Sequence, residues 1–162
     1  MSQKKRNLRK DYKLIFKRDS LYGSYWMAKF INKFMKAGKK QIVEETVFRA
    51  FKKIKMKTGI NTFYLFLNLL IRFRPFLGFI SKRFGRQFKK IPVPLYPRRQ
   101  TIVSLKWLTT SIVVSRFSSF ESRLTHEFLD LNARKKTALW KRYADHLSEV
   151  NENRLNHRFR WK

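Results

Sequence analysis

From Ser20 the chain falls into a helical rhythm: Tyr22, Trp26, Phe30 and Phe34 recur every fourth residue, with Met27, Ile31 and Met35 beside them. That period predicts an amphipathic helix. Gly38 is expected to close it, because Gly commonly follows the last periodic residue. A second helix is predicted from Val43, Val47, Phe51 and Ile54 on one face. Lys52, Lys53, Lys55 and Lys57 near its end complement the helix dipole, so part of that cluster needs no functional explanation. After the break at Thr58-Gly59, Asn61 or Thr62 caps a third helix from Phe63 to about Arg74, apolar nearly all round and so central; Pro75 stops it.

The period then changes. Phe76 to Ser81 and Gln87 to Val93 are short β-prone runs on either side of Lys82-Arg83-Phe84-Gly85-Arg86, which reads as a hairpin spanning about residues 76–96. The charge of its tip is expected to hold it off the rest of the molecule. Pro92, Pro94 and Pro97 confine the returning strand to an edge or extended path. Helical spacing returns with Ile102, Leu105, Leu108 and Ile112. Ser118-Ser119-Phe120-Glu121 fits a capping box opening a fifth helix with Phe120, Leu124, Phe128 and Leu131. A sixth begins near Thr137, its face expected at Trp140, Ala144, Leu147 and Val150, and a basic, aromatic tail runs from Asn156 to Lys162. The expected architecture is mainly α: a single domain (19–162) of about six helices, with one protruding β-hairpin between the third and fourth. A basic N-terminal arm (1–18) precedes it, carrying eight Lys/Arg and one Asp.

Composition narrows the class. Sixteen Phe and six Ala point to a bulky helix-packing interior, and the apolar content is enough for one core. With no Cys there is no disulfide framework, zinc knuckle, iron–sulfur site or thiol nucleophile. The longest charge-free stretch, Thr58 to Ile71, has 14 residues, short of the roughly 20 that span a bilayer. The segment Met1 to Lys17 is basic and broken by polar residues, unlike a secretory signal.

Charge changes the picture most. The 39 Lys+Arg against 10 Asp+Glu leave a formal charge of +29, and such a chain repels itself unless an anionic partner is present. From Thr46 to Phe120, 75 residues hold 16 Lys/Arg and no acid. A solvated helix face normally mixes signs for i,i+4 pairing, and solubility alone needs far less charge. One-signed charge over half a chain suits a phosphate backbone, where each contact releases counterions. Membrane binding is disfavoured because the apolar residues are used by helix faces that need each other. RNA is preferred over DNA, since no recognition-helix layout or zinc module is visible and a protruding tip with arms suits irregular folded RNA. Phe84 and Tyr96 are candidates to stack on unpaired bases, although packing against the protein is the commoner fate of such rings.

Catalysis finds little to use. His126, His146 and His157 set no pair on one helix face, which a metal site would want. Glu127 and Asp130, next to His126, read as an ordinary helix surface. No glycine-rich phosphate loop exists among five Gly. Neither an enzyme, a cofactor nor a metal site is expected.

The residues also match a known pattern. Ala28-Lys29-Phe30-Ile31-Asn32 followed by Met35-Lys36-Ala37-Gly38-Lys39-Lys40 resembles the first-helix end and glycine–lysine turn of the small-subunit ribosomal protein seven family. Arg74-Pro75, Arg83-Phe84-Gly85, Ile91-Pro92-Val93 and Arg98-Arg99 look like its hairpin block. Leu105-Lys106-Trp107-Leu108 is similar to its fourth-helix motif, and Asn153 with Arg160-Trp161 to its C-terminal signature. These matches, in order, cover about residues 19–162. The family's second hairpin glycine is Arg86 here, and positions usually Phe and His hold Asn156 and Arg158.

The resemblance implies a helical domain with a hairpin arm and a structural role. That role is binding the 3′ major (head) domain of small-subunit ribosomal RNA, nucleating head assembly, and placing the hairpin near the exit-site transfer RNA and messenger RNA path beside ribosomal protein eleven. The candidate RNA contacts are Lys4, Lys5, Arg6, Arg9 and Lys10 in the arm; Lys82, Arg83, Arg86, Lys89 and Lys90 in the hairpin; and Arg72, Arg74, Arg98, Arg99, Lys106, Arg116 and Arg160 around it. Alanines typical of bacterial members are replaced by Phe, Ile, Lys and Asn, a bias resembling an AT-rich genome. A mitochondrial ribosome is the expected location, with an AT-rich bacterium or a plastid as the alternative. The rival function is a generalist basic RNA-binding or chaperone protein outside the ribosome.

Overall fold

The computed structural model describes residues 18–160; the basic arm up to residue 17 lies outside them. The elements run α1 (Tyr25–Phe34), α2 (Lys40–Thr58), α3 (Thr62–Arg72), β1 (Leu77–Phe84), β2 (Gln87–Pro94), α4 (Pro97–Val114), α5 (Phe120–Asn132) and α6 (Ala138–Glu152), followed by a 3₁₀ turn, Arg154–Phe159. The mainly helical order, with a hairpin between the third and fourth helices, is the expected one.

The ends of the elements follow local chemistry. Ser24 caps α1, its hydroxyl accepting the Met27 N–H at 3.4 Å, so the helix begins later than the periodicity suggests. Tyr22 instead lies in a turn where the Asp19 carboxylate accepts its N–H at 3.0 Å. Its ring stacks on Phe63 with 4.6 Å between centroids. Helix α1 also stops at Phe34, before Gly38, because Met35 is already extended (ψ 130°). Gly59, at φ +70°, closes α2 and donates its N–H to the Lys55 carbonyl at 2.8 Å, the left-handed cap that Gly adopts without a Cβ penalty. Asn61 caps α3 as expected, accepting the Phe63 N–H at 3.1 Å.

Two expectations shift by a residue or more. At α5 the cap is Ser119, not Ser118: its hydroxyl accepts the Ser122 N–H at 3.2 Å. Glu121 is thereby released from a capping box and reaches Lys53 on α2 at 2.5 Å. On α6 the inward residues are Leu139, Trp140, Tyr143, His146 and Val150, so Trp140 and Val150 face inward as expected while Ala144 and Leu147 are exposed. Both faces of α6 carry apolar residues at helical spacing. The one that turns inward is the one that α3 and α4 meet, through Phe73 against Trp140 and Tyr143, and Trp107 against Tyr143 and His146.

Four phenylalanines from four helices form the centre. Phe30 (α1) lies 5.1 Å from Phe66 (α3), Phe51 (α2) lies 5.5 Å from Phe128 (α5), and the cross pairs are 6.4 Å apart. All four are essentially inaccessible, and burying each is worth about 1.5–3 kcal/mol. Leu105, Leu108 and Ile112 of α4 complete the core. Buried hydroxyls among them are satisfied: Thr62 donates to the Phe51 carbonyl (2.9 Å) and Ser104 to that of Leu70 (3.0 Å). They tie α3 to α2 and α4 to α3.

The hairpin pairs Leu77 with Pro94 through to Phe84 with Gln87, leaving the two-residue turn Gly85-Arg86. Only Gly85 takes a positive φ (+59°). A tight turn that asks for positive φ at its first central position alone leaves the second open to an ordinary residue. Arg86 therefore occupies the second turn position without backbone strain. At the other end, Gly78 lies under Leu95; a Cβ there would meet the Leu95 side chain at 2.7 Å. That contact packs the hairpin root against the start of α4.

Candidate nucleic-acid interface

The hairpin contributes cations of two kinds. Lys82 and Lys89 face each other across the strands, an arrangement of like charges that is destabilising unless something answers it. The C-terminal turn answers it. Lys82 donates to the Arg160 carbonyl at 2.8 Å, and the Lys89 ammonium lies 4.5 Å over the Phe159 ring and 5.9 Å over Phe84. Asn156 donates to the Lys90 carbonyl at 3.1 Å, and Lys90 pairs with Glu149 of α6. Nearer the root, His146 bonds the Leu77 carbonyl through Nε2 (2.9 Å). The tip charge thus does not hold the hairpin off: the end of α6 and the 3₁₀ turn brace its side, by contacts from residues more than 55 positions away.

The tip is different. Arg83 donates from Nε to the Gly85 carbonyl at 3.0 Å, and its guanidinium lies 6.0 Å over Phe88. Arg83 and Phe88 are cross-strand partners and so share a face, opposite that of Lys82 and Lys89. Both are exposed, Phe88 at 73%. Arg86 is exposed in the turn. Phe84, proposed from sequence as a stacking ring, packs instead 5.0 Å from Phe159, while Tyr96 is open at 84%. Phe88 is a candidate for the site that the sequence reading did not single out. Counting in twos back from the turn would have set it beside Arg83.

At the hairpin root, Arg72 and Arg74 enter and Arg98 and Arg99 leave. Arg72 is exposed, with its guanidinium 4.8 Å over Trp140. Arg74 is half-buried, and its Nε has no acceptor among the described residues. Arg98 donates to the Tyr25 hydroxyl at 3.2 Å. That hydrogen bond, helped by the charges of Lys29 and Arg98, holds the Tyr25 phenol below its ordinary range. Tyr25 is a second residue the sequence did not single out. Arg99 and Lys106 are exposed seven residues apart on α4, hence on one face. Arg116 is exposed but lies beyond the far end of α4, an 18-residue helix about 27 Å long. The structure does not bring it to the hairpin. Lys4, Lys5, Arg6, Arg9 and Lys10 lie outside the described residues.

The acids are mostly committed elsewhere. Glu44 pairs with Lys40, Glu121 with Lys53, Asp130 with Lys135 and Glu149 with Lys90. Arg83, Arg86, Arg98, Arg99 and Lys106 therefore face solvent with no carboxylate partner among the described residues. Exposed guanidinium groups of this kind match phosphate in charge and fork geometry. Glu127 is not the surface carboxylate its neighbours suggested. It is buried, accepts a hydrogen bond from Ser111 of α4, and is pushed up from the usual carboxylate range by that burial. His126 stacks on Phe117 with 4.0 Å between rings. Both act in packing. Among the described residues no group of three or more His, Asp or Glu could hold a metal ion, and no helix is long and apolar enough to cross a membrane.

Known proteins are similar to this chain over most of its length. The family described as Ribosomal protein S7p/S5e matches residues 3–147. Similar curated proteins include the Small ribosomal subunit protein uS7 of Rhodospirillum rubrum, 32% identical over 143 residues, 88% of this chain and 91% of that one. Those of Helicobacter hepaticus and Mycoplasmopsis pulmonis are each 31% identical over 143 residues, 88% of this chain and 92% and 91% of theirs. A helical body, a braced basic hairpin and relatives of this kind define a ribosomal protein, structural and not an enzyme. Within that class, the chain belongs to the ribosomal protein S7p/S5e family.

Proposed function

We propose that the chain is a structural constituent of the small ribosomal subunit. In this reading it binds the 3′ major (head) domain of small-subunit ribosomal RNA and nucleates head assembly. Its hairpin sits near the exit-site transfer RNA and messenger RNA path, with ribosomal protein eleven as a neighbour. The observation that carries the reading is the tip and root of the hairpin: Arg83, Arg86, Arg98 and Arg99 exposed without carboxylate partners, beside the open rings of Phe88 and Tyr96. Phosphate contacts would supply affinity, and RNA shape with stacked bases would supply specificity. Lys82, Lys89 and Lys90 serve first to hold the hairpin to the C-terminal turn and add charge second. The AT-rich substitution pattern fits a mitochondrial ribosome, with an AT-rich bacterium or a plastid as the alternative.

Ultraviolet crosslinking in native extract, followed by sequencing of the attached RNA, tests this. Crosslinks confined to a few sites in the 3′ major domain, with hairpin peptides near the exit site, are the expected result, and the RNA sequence itself would identify the genome. Crosslinks spread over unrelated RNAs would make the protein a generalist RNA binder that uses the same scaffold.

A further inference from the structure

Just before α1 the chain makes a closed turn over residues 19–24, and Asp19 is its pivot. The Asp19 carboxylate accepts the Tyr22 N–H at 3.0 Å through Oδ2. Its carbonyl accepts the Gly23 N–H at 3.1 Å, and its own N–H donates to the Ser24 carbonyl at 3.3 Å. Gly23 stands at φ +57°, a conformation open to glycine without steric cost. Ser24 then caps α1, so the turn runs directly into a helix with no slack between them.

Two side chains fasten this turn to elements distant in sequence. Ser20 donates its hydroxyl to the Glu44 carboxylate of α2 at 2.6 Å. Tyr22 lies parallel to Phe63 in the first turn of α3 and edge-on to Phe48 of α2, with centroids 6.0 Å apart. Leu21, between them, stays 60% exposed. Asp19 itself is 4% exposed, and its other oxygen, Oδ1, is buried without a hydrogen-bond partner among the described residues. Burial pushes the Asp19 carboxyl up from its usual range, and the neighbouring Glu44 carboxylate adds to the rise. A carboxyl group in such a place costs stability. What it supplies is a fixed path for the chain.

That path matters because of what precedes it. Residues 1–18 carry eight Lys/Arg. Charge alone draws such an arm to any phosphate backbone, whereas register and orientation come from contacts held in fixed places. We propose that the 19–24 turn is a positioning element, setting where and in what direction the basic arm leaves the helices and so aiming its cations at one RNA site. Asp19 and Ser20 act through the arm and not by touching RNA, a role that rests on the reading of the arm as an RNA contact. A fixed exit lowers the ordering cost that the arm meets on binding.

The test compares binding of the full chain to a 3′ major domain RNA fragment and to an unrelated folded RNA of equal length. Asp19→Ala is expected to weaken binding to the first roughly fivefold to tenfold. Binding to the second becomes no weaker, because the arm keeps all its charge. Asp19→Asn restores the first, since its amide oxygen still accepts the Tyr22 N–H and its amide nitrogen offers Glu44 a donor. Ser20→Ala, at an exposed position that does not endanger the fold, weakens the first by a smaller factor. In a full chain carrying Lys4→Ser, Lys5→Ser, Arg6→Ser, Arg9→Ser and Lys10→Ser, Asp19→Ala is expected to cost nothing further, as little charge remains to be aimed. Loss on both RNAs, or an undiminished loss in the arm-depleted chain, would confine Asp19 to the fold and overturn the proposal. Parental affinity in both Asp19→Ala and Ser20→Ala would overturn it equally. An arm-depleted chain that binds the 3′ major fragment as the parent does would overturn it through the arm reading instead, a result recognisable because it needs no change at Asp19.

Discussion

The Lys89 ammonium lies 4.5 Å above the ring of Phe159, and this pair explains how a strongly cationic hairpin keeps its shape. Directly across the strands from Lys89 is Lys82, and the repulsion between them is absorbed by one ring and one carbonyl from the same C-terminal turn. Phe159→Ala is therefore expected to loosen the hairpin, with local stability falling by about 0.5–1 kcal/mol. Hydrogen exchange at the amides of residues 82–89 measures it. Faster exchange there, with the core helices unchanged, is the expected pattern; unchanged exchange would remove the brace from the account.

The exposed tip behaves oppositely. Arg83→Ala and Arg86→Ala touch no core contact, so thermal stability should hold while RNA affinity falls. Each lost phosphate contact lowers the slope of log affinity against log salt by about 0.7–0.9. Filter binding across a potassium chloride series reads the slope directly. A double variant with the parental slope would show that the tip does not meet phosphate. Phe88→Ala should weaken binding by about 1–3 kcal/mol if the ring stacks on a base, with little change in the salt slope.

Glu127 makes a pH prediction with a definite sign. Burial raises its folded-state pKa, the Ser111 hydrogen bond opposing only in part. In the window between the unfolded and the raised folded pKa, the folded state holds the proton that the unfolded state has released. Glu127's contribution to stability is therefore greatest below the unfolded carboxylate range and declines as pH rises through the folded value. Glu127→Gln keeps an acceptor for Ser111 and removes the titration. Its stability relative to the parent is expected to climb with pH across that window, as followed by denaturant midpoints at a series of pH values. A difference independent of pH would contradict the burial effect.

The core sets the scale against which these effects are read. Phe128→Ala opens the centre of the four-ring cluster and is expected to cost about 3–5 kcal/mol, most of the stability of a small domain. Self-repulsion at +29 should make the parent itself gain stability on adding salt or a polyanion. Denaturation midpoints in low and high salt check both. A midpoint indifferent to salt would mean that the net charge does not load the fold.

Much of this architecture was legible one element at a time. The four-residue recurrence through Trp26, Phe30 and Phe34 placed α1, the β-prone runs on either side of Lys82–Arg86 placed the hairpin, and Asn61 and Pro75 marked the limits of α3. The acid-free run from Thr46 to Phe120 marked where a polyanion would be met. These signals are local: a helix phase, a turn or a missing acid depends on residues a few positions apart. The tertiary structure decided whatever depended on a distant partner. Helix α6 carries apolar residues on more than one side, and Phe73, just past α3, and Trp107 of α4 meet it at Trp140, Tyr143 and His146, leaving Ala144 and Leu147 outside. With Ser119 rather than Ser118 as cap, Glu121 pairs with Lys53 on a distant helix. Lys82, Lys89 and Arg83 look alike in the sequence. Folding gave the two lysines to the C-terminal turn and left the arginine to solvent, because strand alternation turns neighbours to opposite faces and, at the tip, the C-terminal turn reaches the face that carries the lysines.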